Sequence, residues 1–417
     1  MKIKKLLAMT LSVLLMTGMF AGCGKKEETS AVPQNQQQQQ AEGKKDENVV
    51  ITLGCWGSSP AETKLLDDQI QAFQNANPNI TIKKMVMSGD YLQAIQAKIA
   101  SKTEPDVYYL DVALASNFIS KGVLEPLDSY IDQEDLKDFQ PNLLQGFQAD
   151  GKTYGLPKDY NTLALFYNKE MFEKAGVKVP TTWAELEEAA KKLTQGKVKG
   201  LSLPNDAQRF NAFILQAGGK INDGDKPAFN TSEAAKGLDF YYSLLKKGYA
   251  ATPKDLGDGW SGDSLAHGNA AMVIEGGWMI PFMNEAAPNV KYGIAKLPKG
   301  DQEAGLAFTV AYVMSKNSKN KEAAAKVIKF LTGKEAQKMV ADSGLAIPSR
   351  ISMANEYAKN FPERVPLVEM TSVSKVANYG LNGSKILDAL GKAGEKLQLG
   401  QVKDAKTALE EAANSIK

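Results

Sequence analysis

Two carboxylates in this 417-residue chain stand where side-chain chemistry would be useful, Asp159 and Glu275. Asp159 lies in the polar run Lys158-Asp159-Tyr160-Asn161-Thr162, with Pro157 before it and the apolar run Leu163-Ala164-Leu165-Phe166 after it. Glu275 follows the apolar stretch Ala270-Ala271-Met272-Val273-Ile274 and precedes Gly276-Gly277-Trp278. Paired carboxylates can work a glycosidic bond as acid and base or nucleophile. The same groups beside an amide and aromatic faces can hold hydroxyls without reacting. Gly277 and its neighbour give Trp278 a reason to be there, since backbone without side chains lets a ligand approach closely. Four further candidates occupy loops or strand ends: Trp56 in a Gly- and Pro-containing loop, Glu62 just beyond it, Asp111 at the end of an apolar stretch and Trp260 between glycines. A loop anchor is the plain alternative for Trp56, and a helix N-cap for Asp111. Arginine is used only at Arg209, Arg350 and Arg364 in a chain that otherwise prefers lysine. A planar fork suits two hydroxyls or a carboxylate, so Arg350 is a candidate in balance with a surface role, while Arg209 and Arg364 read as surface.

Other chemistries lack their parts. His267 is the only histidine, so no histidine-based metal cluster or triad can form. No P-loop is present, and Gly257-Asp258-Gly259-Trp260-Ser261-Gly262 matches the dinucleotide fingerprint without a buried strand before it or a long helix after it. Asn222-Asp223-Gly224-Asp225 lacks a calcium-binding loop's spacing and reads as a turn. No metal or cofactor is expected. Lysine plus arginine total 50 against 48 acidic residues, which leaves no electrostatic case for nucleic acid.

The elements that must position these residues alternate. Val49 to Leu53 is a strand, Leu65, Leu66, Ile70 and Phe73 keep helical spacing, Ile80-Thr81-Ile82 is a strand, Tyr91 to Ile99 a helix, and Pro105 to Asp111 a strand. Strand and helix in alternation predict a parallel sheet with helices on its faces, and ligands then sit beyond the carboxyl ends of the strands, where Trp56, Glu62 and Asp111 fall. Asp150-Gly151 is a tight turn, and Leu163, Leu165 and Tyr167 belong to a strand buried on both sides. The polar break between them predicts that the chain crosses from one domain to another there. At this length two domains are the default. Thr182 with Glu185 makes a capping box, which marks Trp183 as structural; Asn230 and Glu233 are expected to cap the next long helix. Cys55 reads as a buried packing thiol.

The amino terminus is a targeting segment. Lys2, Lys4 and Lys5 precede the apolar run Leu6 to Phe20, which is short for a bilayer span. Ala21-Gly22-Cys23 then resembles a bacterial lipobox, with Phe20 where leucine is usual, so residues 1–22 read as signal peptide and Cys23 as the acylated first residue. Residues 23–48 carry Gln36 to Gln40 and no apolar period, a disordered tether with a reach on the order of 25–30 Å.

The stretch from Asp150 through Leu193 resembles the first interdomain crossover of the family 1 extracellular solute-binding proteins of ABC importers. The run Gly268 to Trp278, GNAAMVIEGGW, resembles the strand and loop that carry that family's sugar-stacking tryptophan. Gly305 to Met314, which contains Phe308, resembles the return crossing; Gly344 to Arg350 resembles a third; the tail from Ser384 resembles the closing helices. The resemblance implies an α/β, two-lobed periplasmic-binding-protein-like fold of type II hinged on crossing strands. Its first lobe would be 49–158 with 306–334, and its second 159–305 with 335–417. It also implies a cleft that closes on a carbohydrate, lined by Trp56, Glu62, Asp111, Asp159, Tyr160, Asn161, Trp260, Glu275, Gly277, Trp278, Phe308 and Arg350. An ABC permease would be the partner of a monomeric, non-catalytic receptor, anchored by lipid on Cys23 to the outer face of a bacterial membrane. A glycoside-active enzyme and an inert surface adhesion lipoprotein remain the alternatives.

Overall fold

The computed structural model describes residues 48–416, so the signal segment, Cys23 and the tether up to residue 47 lie outside the described residues. In chain order the strands are β1 (Val49–Trp56), β2 (Ile80–Met87), β3 (Val107–Asp111), β4 (Gln148–Ala149), β5 (Lys152–Thr153), β6 (Gly155–Thr162), β7 (Ala164–Asn168), β8 (Lys199–Ser202), β9 (Asn222–Asp223), β10 (Lys226–Pro227), β11 (Ala250–Ala251), β12 (Ala270–Glu275), β13 (Tyr292–Ala295), β14 (Gly305–Met314), β15 (Ile347–Pro348) and β16 (Ser374–Val376). Two small hairpins, β4–β5 and β9–β10, stand apart from two main sheets. Asp150 and Gly151 join the first hairpin with φ of 50° and 71°, the left-handed pair that a tight turn between twisted strands requires. The second contains Asn222 to Asp225, the expected turn.

The first sheet runs β15-β6-β14-β3-β1-β2, with β16 also paired to β14. The second runs β11-β8-β12-β7-β13. In each, three strands are parallel, β2-β1-β3 and β11-β8-β12, and the next is antiparallel. Helices fill the faces because their apolar residues recur on one side: the helix Pro60–Ala76 buries Leu66, Gln69, Ile70 and Phe73. A Ser59/Glu62 capping box starts that helix, the kind of cap that contributes about 1 kcal/mol. Thr231 rather than Asn230 caps the helix Ser232–Lys246; its side chain accepts from the Ala234 amide at 3.2 Å. Cys55 is a free, buried thiol. Burial pushes its pKa up, as expected of an unreactive packing residue.

One residue, Leu163, separates β6 in the first sheet from β7 in the second. Because β6 lies antiparallel to β14, and β14 antiparallel to β3, β6 ends at the edge where β1 and β3 end. In the second sheet Ala164 opens β7 directly opposite Glu275, the last residue of β12. The single-residue link therefore holds the carboxyl edges of the two sheets against each other. The return from β13 to β14 spans 296–304 and is pinned by the Lys299 amide on the Thr181 carbonyl at 2.9 Å.

The run Gly344–Arg350, expected as a third crossing, contains β15. Ile347 and Pro348 pair with Tyr160 and Asp159 in the first sheet, and Ser374 to Val376 pair with Gly305 to Ala307 there too. Sheet membership thus keeps the chain on the first sheet to Val376. The chain leaves it through 377–382, where Asn378 accepts from Ser116 Oγ at 3.0 Å and the Leu381 amide donates to Asp225 at 2.6 Å.

Candidate ligand-binding site

At the carboxyl edge of the first sheet, strands that are otherwise buried turn half-open at a few positions. On β14 only Phe308 and Val310 break the run of buried residues. Val310 pairs with Asp111 on one side and Asp159 on the other, and Phe308 pairs with Asn161. Directly paired residues share a face, so Asp111, Val310, Asp159, Phe308 and Asn161 form one half-open patch.

Each carboxylate there has a fixed local partner. Asp111 caps the helix Val112–Ser120 by accepting from the Ala113 amide at 2.8 Å, the alternative to its expected ligand role, and burial pushes its pKa up against that bond. Asp159 is ion-paired with Lys158, and its carbonyl accepts from Thr309 Oγ1 at 2.6 Å. In the sequence Lys158 is one member of a polar run. The register shows its role: Asp159 faces Val310 and Pro157 faces Ala311, leaving Lys158 as the extra residue of a β-bulge. Bulges re-aim side chains, and here the ammonium lies 5.2 Å from the Tyr109 ring centroid. Burial works against its charge, but Asp159 outweighs burial and holds the ammonium pKa above its ordinary value. Trp56 ends β1 half-buried, packed edge-on against Tyr109 at 4.9 Å and Tyr91 at 5.1 Å. Glu62 is exposed, and its carboxylate accepts from the Ser59 amide at 3.1 Å in the capping box.

The second sheet contributes a denser cluster. Glu275, only 2% exposed, places Oε2 2.7 Å from Arg209 Nη2 and 3.0 Å from the Trp278 indole nitrogen. Burial raises the carboxyl pKa, while Arg209 and the indole N–H pull it back. The Arg209 guanidinium also lies 5.3 Å from the Trp278 ring. Phe308 meets Trp278 edge-on at 5.6 Å, which joins the first sheet's patch to the second sheet's loop. Gly277 has Asn161 against it, and Gly276 leaves room for the indole. A cavity of about 550 Å³ opens beyond the carboxyl ends of β8, β11 and β12. Asp206, Arg209, Trp260, Ser261, Glu275 and Glu395 are among its walls. Trp260 is half-buried and packs edge-on against Phe282 at 4.8 Å.

Two expected site residues are core residues instead. Tyr160 is 0% exposed, and its hydroxyl shares a hydrogen bond of 2.9 Å with Thr371. Strand alternation explains this: Asp159 and Asn161 face the patch, so Tyr160 points to the opposite face. Arg350 is 2% exposed, donates from Nε to the Thr332 carbonyl at 2.6 Å and forks onto Asp135 at 2.6 and 2.8 Å. Its donors are engaged by Thr332, Asp135 and Asp138. Arg209, read as surface, is the arginine that reaches the site. Among the described residues no group of three or more His, Cys, Asp or Glu side chains could hold a metal.

Two α/β sheets whose carboxyl edges face each other, with a half-open polar and aromatic patch between, define a two-lobed receptor for a soluble ligand. The chain belongs to the bacterial extracellular solute-binding protein family, whose model matches residues 68–364. It is similar to the galactooligosaccharide-binding protein of Bacillus subtilis, at 27% identity over 357 residues, 81% of this chain and 79% of that protein. The maltooligosaccharide ABC transporter solute-binding lipoprotein of Streptococcus pneumoniae is 29% identical over 298 residues, 64% of this chain and 66% of that one. Among solved structures, the ABC substrate-binding protein of Listeria monocytogenes in complex with cycloalternan matches with a TM-score of 0.79 at 27% identity, over 89% of this chain and 98% of that chain.

Proposed function

We propose that this solute-binding protein takes an uncharged carbohydrate between its lobes and delivers it to an ABC permease as a monomer held at the outer membrane face by lipid on Cys23. The contact between Trp278 and Phe308 carries the reading, since it places an indole beside a strand bearing Asn161 and Asp159. Aromatic faces cover the apolar faces of a sugar ring, while amide and carboxylate groups bond its hydroxyls. Relatives and structural neighbours with carbohydrate ligands support the same class. Ligand contacts that differ between open and closed lobes would shift the population toward the closed form.

Receptor rather than glycosidase is the better reading because both carboxylates are committed. Asp159 is paired with Lys158, and Glu275 is buried between Arg209 and the indole N–H. Neither is placed as a free acid or nucleophile across an open bond. We place the first lobe at 49–162 with 305–376 and the second at 164–302 with 377–416, following strand pairing.

Thermal unfolding against a panel of mono- and oligosaccharides tests the ligand class. A true ligand at a hundredfold excess over its Kd should add about 2.7 kcal/mol. A panel with no stabilising sugar would refute the carbohydrate reading. The bound sugar should be recovered unaltered after long incubation, and turnover lost in Glu275→Gln would restore the enzyme. For the anchor, Cys23→Ala should leave membranes or remain unprocessed; a lipid-bearing, mature-sized variant in the membrane fraction overturns it.

A further inference from the structure

We propose that Arg209 and Glu275 are positioning residues that set the angle at which Trp278 is presented. Glu275 is only 2% exposed, and both donors converge on a single carboxylate oxygen, Oε2. Arg209 then reaches from the first turn of the helix Ala207–Gln216 to the indole face, at 5.3 Å, while its Nη1 is steadied by Asp206 at 3.4 Å. Asp206 is itself fixed as the cap of that helix, accepting from the Gln208 amide at 2.8 Å.

The backbone completes the device. A Cβ on Gly276 would stand 2.3 Å from the Trp278 ring, so the indole lies directly over that residue. Phe308 stands at 70° to the ring on another side. Trp278 nevertheless remains half-buried, with part of its surface accessible. An exposed indole without such partners would sample several rotamers and lose that freedom on binding. Holding it in one orientation beforehand reduces that loss and favours ligands whose apolar face meets that angle. The consequence for affinity rests on the carbohydrate reading above; the geometry does not.

The full chain labelled with 5-fluorotryptophan and observed by ¹⁹F NMR without ligand tests the geometry. Its four tryptophans give four resonances, and Trp278→Phe identifies one. Arg209→Met and Glu275→Leu should each shift or split the Trp278 resonance while leaving Trp183 unmoved, and Glu275→Leu should speed exchange of the indole N–H. If either single variant fails to fold because a buried charge is stranded, the double variant Arg209→Met/Glu275→Leu removes both charges and carries the same expectation. A Trp278 resonance unchanged in position and width, with only a lowered Tm, overturns the proposal and leaves the pair structural. Titration with maltose, maltotriose and cycloalternan separates the two readings. If one binds, variants with a displaced Trp278 should lose about tenfold in affinity, and equal affinity overturns positioning. If none binds the wild type, the choice of these sugars falls while the NMR result still decides the geometry.

Discussion

Asn161 and Gly277 meet at the crossing between the sheets: a Cβ on Gly277 would stand 2.3 Å from the Asn161 Oδ1 atom. The obstructing group is the end of a short polar side chain and not backbone, so Gly277→Ala can be absorbed by turning Asn161 away. The variant should fold with a stability loss within about 1–3 kcal/mol, the usual cost of overpacking, yet bind ligand more weakly. Calorimetric titration beside urea unfolding checks this; intact affinity would show that Asn161 is not a ligand contact.

Trp278 and Trp183 should separate binding from stability. Trp183 is buried, bonds Gln216 through its indole nitrogen at 2.7 Å and stacks on Phe240 at 4.4 Å and 5°. Trp183→Ala should cost about 3–5 kcal/mol of stability. Trp278→Ala should instead weaken binding about tenfold to a hundredfold, from roughly 1.5–3 kcal/mol of lost contact. The reverse pattern, normal binding with a collapsed Tm in Trp278→Ala, would make Trp56 or Trp260 the better platform.

Arg350→Met should destabilise without changing affinity. It leaves the Thr332 carbonyl without its 2.6 Å donor, a loss of about 1–3 kcal/mol. The Arg350 fork also holds the Asp135 pKa below its ordinary value, outweighing partial burial. A depressed folded pKa stabilises above the unfolded value, about 3.9, and that contribution is lost as pH falls through the folded value. The gap between wild type and variant should therefore narrow between about pH 7 and about pH 3 in urea unfolding. A constant gap would mean that the Asp135 pairing contributes nothing.

Gly380 should be far less replaceable than Gly176. Both have left-handed φ, 72° and 60°, so alanine brings about 1–2 kcal/mol of backbone strain at either site. Around Gly176 a Cβ would meet nothing within 4 Å, whereas at Gly380 it would meet Asp225 Oδ1 at 2.5 Å and the Gly224 carbonyl at 2.6 Å. Gly380→Ala should thus lose more stability than Gly176→Ala and loosen the 377–382 segment, where the Leu381 amide donates to Asp225. Equal urea midpoints would show that the hairpin yields freely.

Local interactions were legible in the sequence because their partners are near neighbours. Asp150-Gly151 reads as a tight turn, and Asp111 precedes the helix it caps; Ser59 and Glu62 are also three apart at a helix start, although Glu62 is expected from the sequence as a cleft residue. The expectation of Tyr160 in the cleft overlooks strand alternation, which with Asp159 and Asn161 on one face sends it to the buried one. The two arginines could not be told apart this way. Arg350 is claimed by Asp135 and Asp138, more than two hundred residues away, and Arg209 by Glu275, 66 residues away. A guanidinium's role depends on which carboxylate the fold brings within bonding distance, and that distance is set by sheet order and the single-residue crossing at Leu163. The bulge that re-aims Lys158 belongs to the same class, because it exists only in the pairing of β6 with β14.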